Sequence, residues 1–155
     1  LLNNSFYETT TLSYSAIILG IALVIWSICS AKINLKKHFN LIYLTFALHL
    51  ISISCINNLF NSYWVLFALL LIASSYYFFT TSHQIKSASL FIFTIIYAYV
   101  GINICLFKLV EFINFDSDLL VPFFFLVPFY FIGSIILFIL LVKKFNKDKT
   151  YDTIR

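Results

Sequence analysis

The stretch "ASLFIFTIIYAYVGINICLFKLVE", residues 88–111, decides the fold class of this chain. Its first twenty residues carry no charge, and about twenty residues of α-helix, at about 1.5 Å each, cross the hydrocarbon core of a bilayer. A membrane-spanning strand is excluded because the run does not alternate apolar and polar residues. The stretch therefore predicts a transmembrane helix.

The whole chain has the composition of this segment. Of its 155 residues 62% are hydrophobic and 10% are charged, whereas soluble domains are about 45–50% apolar and about 25% charged. Hydropathy separates five apolar runs, near residues 12–31, 39–56, 62–80, 88–110 and 119–142. We therefore predict an all-α, polytopic membrane helix bundle of about five transmembrane helices in a single transmembrane domain.

The distribution of charge predicts the orientation of the chain in the membrane. Nine basic and two acidic residues lie in the three stretches 32–38, 81–87 and 143–155, whereas the opposite side has one basic and four acidic residues. Lys and Arg accumulate in cytoplasmic loops. We therefore predict an external N-terminus, an internal C-terminus and a basic cytoplasmic tail at 143–155. We expect this inner face to attract anionic lipid and no nucleic acid.

The start of the chain and its cysteines give two smaller expectations. The chain contains no methionine, and it begins "LLNNSFYETT" without the features of a signal peptide, which predicts a piece of a longer membrane protein. Cys29, Cys55 and Cys105 are scattered singly through apolar runs. We expect them to be small buried hydrophobic residues.

A histidine lies deep in the second apolar run. Thr45, His49 and Ser52 are spaced four and three residues apart, which places them on one stripe of a helix. We predict that His49 forms an interhelical hydrogen bond. The alternatives are a role in proton or substrate transfer and a role as a ligand in a site that another chain completes. The other two histidines lie in predicted inner loops, and so no cofactor is predicted for the chain alone.

The fourth run carries polar or small residues on two sides of the predicted helix. Tyr97 and Gly101 share one face, whereas Tyr99 and Asn103 lie well round from it. This pattern predicts that the fourth helix is interior to the bundle, with Gly101 allowing the close approach of a neighbouring backbone.

Lys108 and Glu111 mark the outer end of the same run. Three residues apart on a helix, they are neighbours that can form an ion pair. We predict a pair at the point where the helix leaves the bilayer, and the alternative is a buried intramembrane pair with a function.

The second half of the chain has a familiar order of segments. Residues 62–79 are "SYWVLFALLLIASSYYFF", residues 89–112 are "SLFIFTIIYAYVGINICLFKLVEF", and after an acidic gap residues 128–155 are "PFYFIGSIILFILLVKKFNKDKTYDTIR". Over about residues 60–155 this order resembles the C-terminal membrane region of a family of uncharacterised bacterial polytopic membrane proteins. The resemblance implies further membrane helices upstream and a bacterial inner membrane, and it brings no catalytic residues.

Three function classes follow from this reading. The sequence favours a non-catalytic membrane component, such as a scaffold, an assembly partner or a sensor anchor, in contact with lipid and with further transmembrane helices. The alternative is a channel or transporter segment, with a tunnel lined by His49, Tyr99 and Asn103. The second alternative is a membrane redox subunit whose cofactor is shared with another chain. The sequence contains no P-loop and no G-x-G-x-x-G, H-E-x-x-H or G-x-S-x-G motif.

Overall fold

A computed structural model describes residues 2–33, 37–113 and 117–153, and it describes side chains for residues 11–33, 39–111 and 125–147. In the described part five α-helices follow one another: α1 (Leu2–Lys32), α2 (Lys37–Asn58), α3 (Trp64–Ile85), α4 (Ala88–Ile113) and α5 (Ser117–Thr153). No strand occurs in these ranges. The predicted all-α class is thus confirmed. Residues 114–116 of the acidic gap, including Asp116, lie outside the described residues.

All five helices are long and apolar enough to cross a membrane. The candidate spans are Thr11–Lys32, Phe39–Asn58, Trp64–Ile85, Ala88–Glu111 and Phe125–Lys147. The chain is therefore an integral membrane protein of the helical, multi-pass class. The helices are longer than the predicted runs at several ends, and α5 continues through most of the basic segment that follows residue 142. Lys is a good helix former and neither Gly nor Pro follows residue 142, so nothing there ends the helix.

The connection between α3 and α4 is the tightest in the described chain. Lys86 adopts the left-handed conformation, with φ 56° and ψ 34°, and its backbone N–H donates to the Ser82 carbonyl. The Ser87 N–H donates to the same carbonyl. The Ser87 hydroxyl then accepts a bond from the Leu90 N–H at 3.4 Å, which caps the start of α4. Two residues therefore reverse the chain between antiparallel helices.

Residues 1–104 form one compact unit and residues 105–155 form another. Within the first unit, the described helices α1, α2, α3 and most of α4 pack into a bundle. Its core consists of fully buried side chains from α2, α3 and α4. The largest of these are Phe78, Phe91, Leu44, Leu48 and Leu90. In the second unit, no described side chain between Phe125 and Lys144 is buried.

Within the first unit, α4 is not enclosed by neighbouring helices on all sides, so its interior position stays a prediction. Ile96 and Ile102 on this helix are 41% and 53% exposed. The polar groups on the second side of α4 do not need a neighbouring helix, because Asn103 bonds to the backbone of its own helix. Gly101 allows a close contact with a side chain and not with the predicted neighbouring backbone: a Cβ added there would collide with Cδ2 of Leu71 on α3.

Candidate functional site

The deep histidine joins two helices. Nδ1 of His49 on α2 lies 2.7 Å from the hydroxyl oxygen of Tyr97 on α4. The imidazole also meets Phe93 edge to face, with ring centroids 4.9 Å apart. Which atom donates depends on the tautomer of the imidazole, since a neutral imidazole has one donor and one acceptor nitrogen. The hypothesis of an interhelical hydrogen bond at His49 is therefore confirmed.

The other two residues of the predicted histidine stripe lie in different environments. The Thr45 hydroxyl donates to the Leu41 carbonyl at 2.8 Å, a bond within α2. The Ser52 hydroxyl is fully buried and has no hydrogen-bond partner among the described residues. The stripe thus combines a local bond, an interhelical bond and an unpartnered hydroxyl, and it does not form one connected polar chain.

Tyr99 and Asn103 form a separate feature of α4. The Asn103 side-chain amide donates to the Tyr99 carbonyl at 2.7 Å, so the amide serves the backbone of its own helix. Both side chains are half-buried. Tyr99 follows Tyr97 by two positions, which turns it by roughly 200° around the helix. The side chain that binds His49 and the Tyr99–Asn103 pair therefore leave α4 on opposite sides.

Lys108 and Glu111 form an ion pair near the end of α4. The Lys108 ammonium lies 2.9 Å from Oε2 of Glu111, and the two side chains are 23% and 61% exposed. The two residues lie one turn apart on the same helix, and α4 ends two residues after Glu111. These positions and exposures favour the hypothesis that the pair marks the helix end.

Replacing Lys108 with glutamine is expected to lower the free energy of unfolding by less than about 1 kcal/mol, because exposed ion pairs contribute little. Thermal unfolding in detergent of Lys108→Gln, Glu111→Gln and the double variant measures this. A severe loss in the first variant that the second substitution restores would instead identify a buried, coupled pair.

The sequence reading missed the contact between α1 and α2. The Ser27 hydroxyl donates to the Asn40 side-chain oxygen near one end of the two helices. The Asn57 amide donates to the Ser13 hydroxyl near the other end, at 3.2 Å. Between them lies Gly20, where an added Cβ would be 2.6 Å from Cγ1 of Ile51 on α2. Small residues and hydrogen bonds of this kind hold membrane helices together.

A spacing in α1 would have indicated this contact. Ser13, Gly20 and Ser27 recur every seven residues, and a repeat of seven residues stays on one side of a helix that packs against a neighbour. All three residues are buried. The apolar residues of α1 carry no such signal, because they occur on every side of the helix.

The cysteines and the remaining titratable residues do not form a metal site in the described part of the chain. Cys55 is buried as predicted, whereas Cys105 is half-buried and Cys29 is exposed, so the prediction is wrong for Cys29. Among the described residues no group of three or more His, Cys, Asp or Glu side chains could hold a metal ion.

Comparison with protein families, with curated proteins and with solved structures yields no match for this chain. The class of the chain rests on its fold: it is a multi-pass helical membrane protein.

Proposed function

We propose that this chain is a non-catalytic component of a membrane assembly, acting as a scaffold, an assembly partner or the anchor of a sensor. The observation that carries the proposal is the use of the polar side chains at membrane depth. His49 bonds to Tyr97 on another helix, and Asn103 bonds to its own helix. The first bond holds two helices in register and the second satisfies an amide within one helix, so neither group is directed at a substrate.

The geometry gives the channel or transporter alternative no comparable support. A tunnel lined by His49, Tyr99 and Asn103 requires their side chains to face one space. His49 is held by Tyr97, and Tyr99 lies about 200° around α4 from that residue. In transporters, substrate sites instead lie where broken helices meet at the membrane midplane. α2 and α4 are continuous through the positions of these three residues.

The location and the orientation belong to the same proposal. We place the chain in a bacterial inner membrane, with the N-terminus outside, on the basis of the asymmetric charge and the resemblance to the uncharacterised bacterial family. The exposed end of α3 and the basic continuation of α5 then lie at the cytoplasmic headgroups. Lysines at that level attract anionic lipid, at about 1 kcal/mol each.

The test is reconstitution of the purified chain into lipid vesicles that contain a pH-sensitive dye. We expect proton and potassium fluxes no greater than those of vesicles without protein, and no visible absorption band from a bound cofactor. Native gel electrophoresis of the chain extracted from its own membrane is expected to show a complex larger than the 18.0 kDa chain. A flux that His49→Phe or Asn103→Leu abolishes would contradict the proposal and favour a channel.

A further inference from the structure

Pro128 interrupts the hydrogen-bond ladder of the last helix. It is in the interior of α5, and the chain stays helical on both sides of it. Proline has no N–H, so the carbonyl of Phe124, four residues earlier, receives no backbone bond from position 128. At this turn α5 therefore lacks one of the bonds that keep a helix straight.

A second weak turn follows at Gly133 and Ser134. The Ser134 hydroxyl donates to the Phe131 carbonyl at 2.7 Å, and local bonds of this kind often bend helices. The hydroxyl also gives this carbonyl a second partner, so the carbonyl stays bonded in lipid when its backbone N–H partner moves away. Prolines and Gly/Ser pairs are the usual positions of helix kinks. Two kink-forming features of different kinds thus lie within residues 128–134.

The two weak turns lie on the same side of the helix. Phe131 follows Phe124 by seven residues, a rotation of about 700°, which is about 20° short of two full turns. The two affected carbonyls therefore lie along one side of α5. Gly133 lies about 180° around the helix from Phe124, on the side that shortens when the other side opens. Glycine has no side chain that would be crowded there.

We propose that residues 128–134 are a hinge at which α5 bends toward its Gly133 side. A bend in that direction lengthens hydrogen bonds on the opposite side, where position 128 donates none and the Phe131 carbonyl keeps the Ser134 hydroxyl. Bending here therefore costs fewer backbone bonds than bending at other turns of the helix. The inference goes beyond the proposed function and does not depend on it, because the bend lies within one helix.

The part of α5 beyond the hinge carries basic residues. Residues 135–153 form about 28 Å of helix at about 1.5 Å each, and they include Lys143, Lys144, Lys147 and Lys149. A bend of about 20°, the size at which kinks count as sharp, moves the far end of this segment by about 10 Å. The hinge therefore lets the lysines take more than one position at the headgroups while the part of α5 before Pro128 stays in place.

The distance between two spin labels on α5 measures the bend within the helix. The native cysteines are first replaced by alanine, and labels are then attached at Leu126→Cys and Leu140→Cys, two exposed positions on the side toward which the hinge bends. The control pair is Leu12→Cys and Trp26→Cys of α1, which are also exposed and also fourteen residues apart. In a straight helix, the Cα atoms of either pair are about 21 Å apart.

The two pairs are compared by dipolar electron paramagnetic resonance in lipid vesicles. We expect the α5 pair to give a broader distance distribution than the α1 pair, with a component shorter by about 2 Å, the shortening that a bend of about 20° produces on the inner side of a helix of radius about 5–6 Å. A distribution as narrow as that of the α1 pair would overturn the inference. A single narrow distribution at the shorter distance would also overturn it, because it identifies a fixed kink.

Substitutions at the hinge separate the motion of the backbone from that of the labels. Pro128→Ala combined with Gly133→Ala restores a backbone bond and adds better helix formers, so we expect it to narrow the α5 distribution to the width of the α1 pair. Ser134→Ala is expected to narrow it in part, whereas Ser134→Thr keeps the hydroxyl and the width. Ile132→Ala, at an exposed position between the two weak turns, is the matched control and should change nothing. An unchanged width in the double alanine variant would assign the width to the labels and overturn the hinge.

Discussion

Replacing Gly20 with leucine is expected to lower the free energy of unfolding by about 3 kcal/mol, at the upper end of the usual cost of overpacking. Even a Cβ at this position would lie 2.6 Å from Cγ1 of Ile51 and 3.3 Å from the carbonyl oxygen of Ala47. The Ala47 oxygen belongs to the backbone of α2 and cannot rotate away. A larger side chain must therefore move α1 from α2, which also lengthens the hydrogen bonds at both ends of the contact.

Gly133 of α5 provides the matched control for this substitution. A Cβ added at Gly133 meets no heavy atom within 4 Å, so Gly133→Leu should be neutral or slightly stabilising, since leucine is the better helix former. Circular dichroism during titration of detergent-solubilised protein with a denaturing detergent compares the two variants. Equal destabilisation would mean that Gly20 is not at a close helix contact, and a stable Gly20→Leu variant would contradict the α1–α2 packing.

The existence of the five helices could be predicted from the sequence because one physical constraint decides it. A run of about twenty apolar residues has no other low-energy structure in a bilayer, where every backbone polar group must bond within its own segment. The helix ends were less predictable. The α5 helix continues beyond residue 142 because the thickness of the bilayer limits the length of the apolar run and does not limit the length of the helix. A lysine-rich sequence is also a good helix former in water.

The packing of the helices could not be predicted from hydropathy, because these helices are apolar on almost every side. A soluble helix shows its buried face by its apolar stripe, and a helix in lipid does not. The information lies in the small and polar residues instead. The seven-residue spacing of Ser13, Gly20 and Ser27 was present in the sequence, whereas the choice of Tyr97 as the partner of His49 depends on how α2 and α4 lie beside each other.

In the candidate site, too, some features could be predicted from the sequence and others required the structure. The depth of His49 and the local pairing of Lys108 with Glu111 follow from counting residues along a helix, and both were predicted from their spacing. The use of Nδ1 of His49 for the bond to Tyr97 required the structure, because the sequence does not show which nitrogen the fold uses. The polar residues of α4 do not by themselves require an interior position, because a polar side chain such as Asn103 can be satisfied by its own backbone.

Replacing Phe91 with alanine is expected to lower the free energy of unfolding by about 3 kcal/mol, near the lower end of the range for Phe→Ala in protein cores. Phe91 is 1% exposed. Its ring lies 5.5 Å from that of Phe79 and 5.3 Å from that of His83, both on α3. Its removal opens a cavity between α3 and α4 beside their two-residue connection. The loss lies near the lower end because lipid is as apolar as the core, so dispersion and the cavity remain as the main terms.

Phe107 lies on the same helix and tests this explanation directly. It is 69% exposed, so Phe107→Ala exchanges one lipid contact for another and should change stability by less than about 0.5 kcal/mol. Thermal unfolding in detergent, followed by circular dichroism, measures both variants under the same conditions. If burial against α3 is what stabilises α4, the Phe91 variant unfolds at a clearly lower temperature than the Phe107 variant. Equal unfolding temperatures would mean that the aromatic contacts of Phe91 do not hold α3 and α4 together, and that their short connection alone keeps them adjacent.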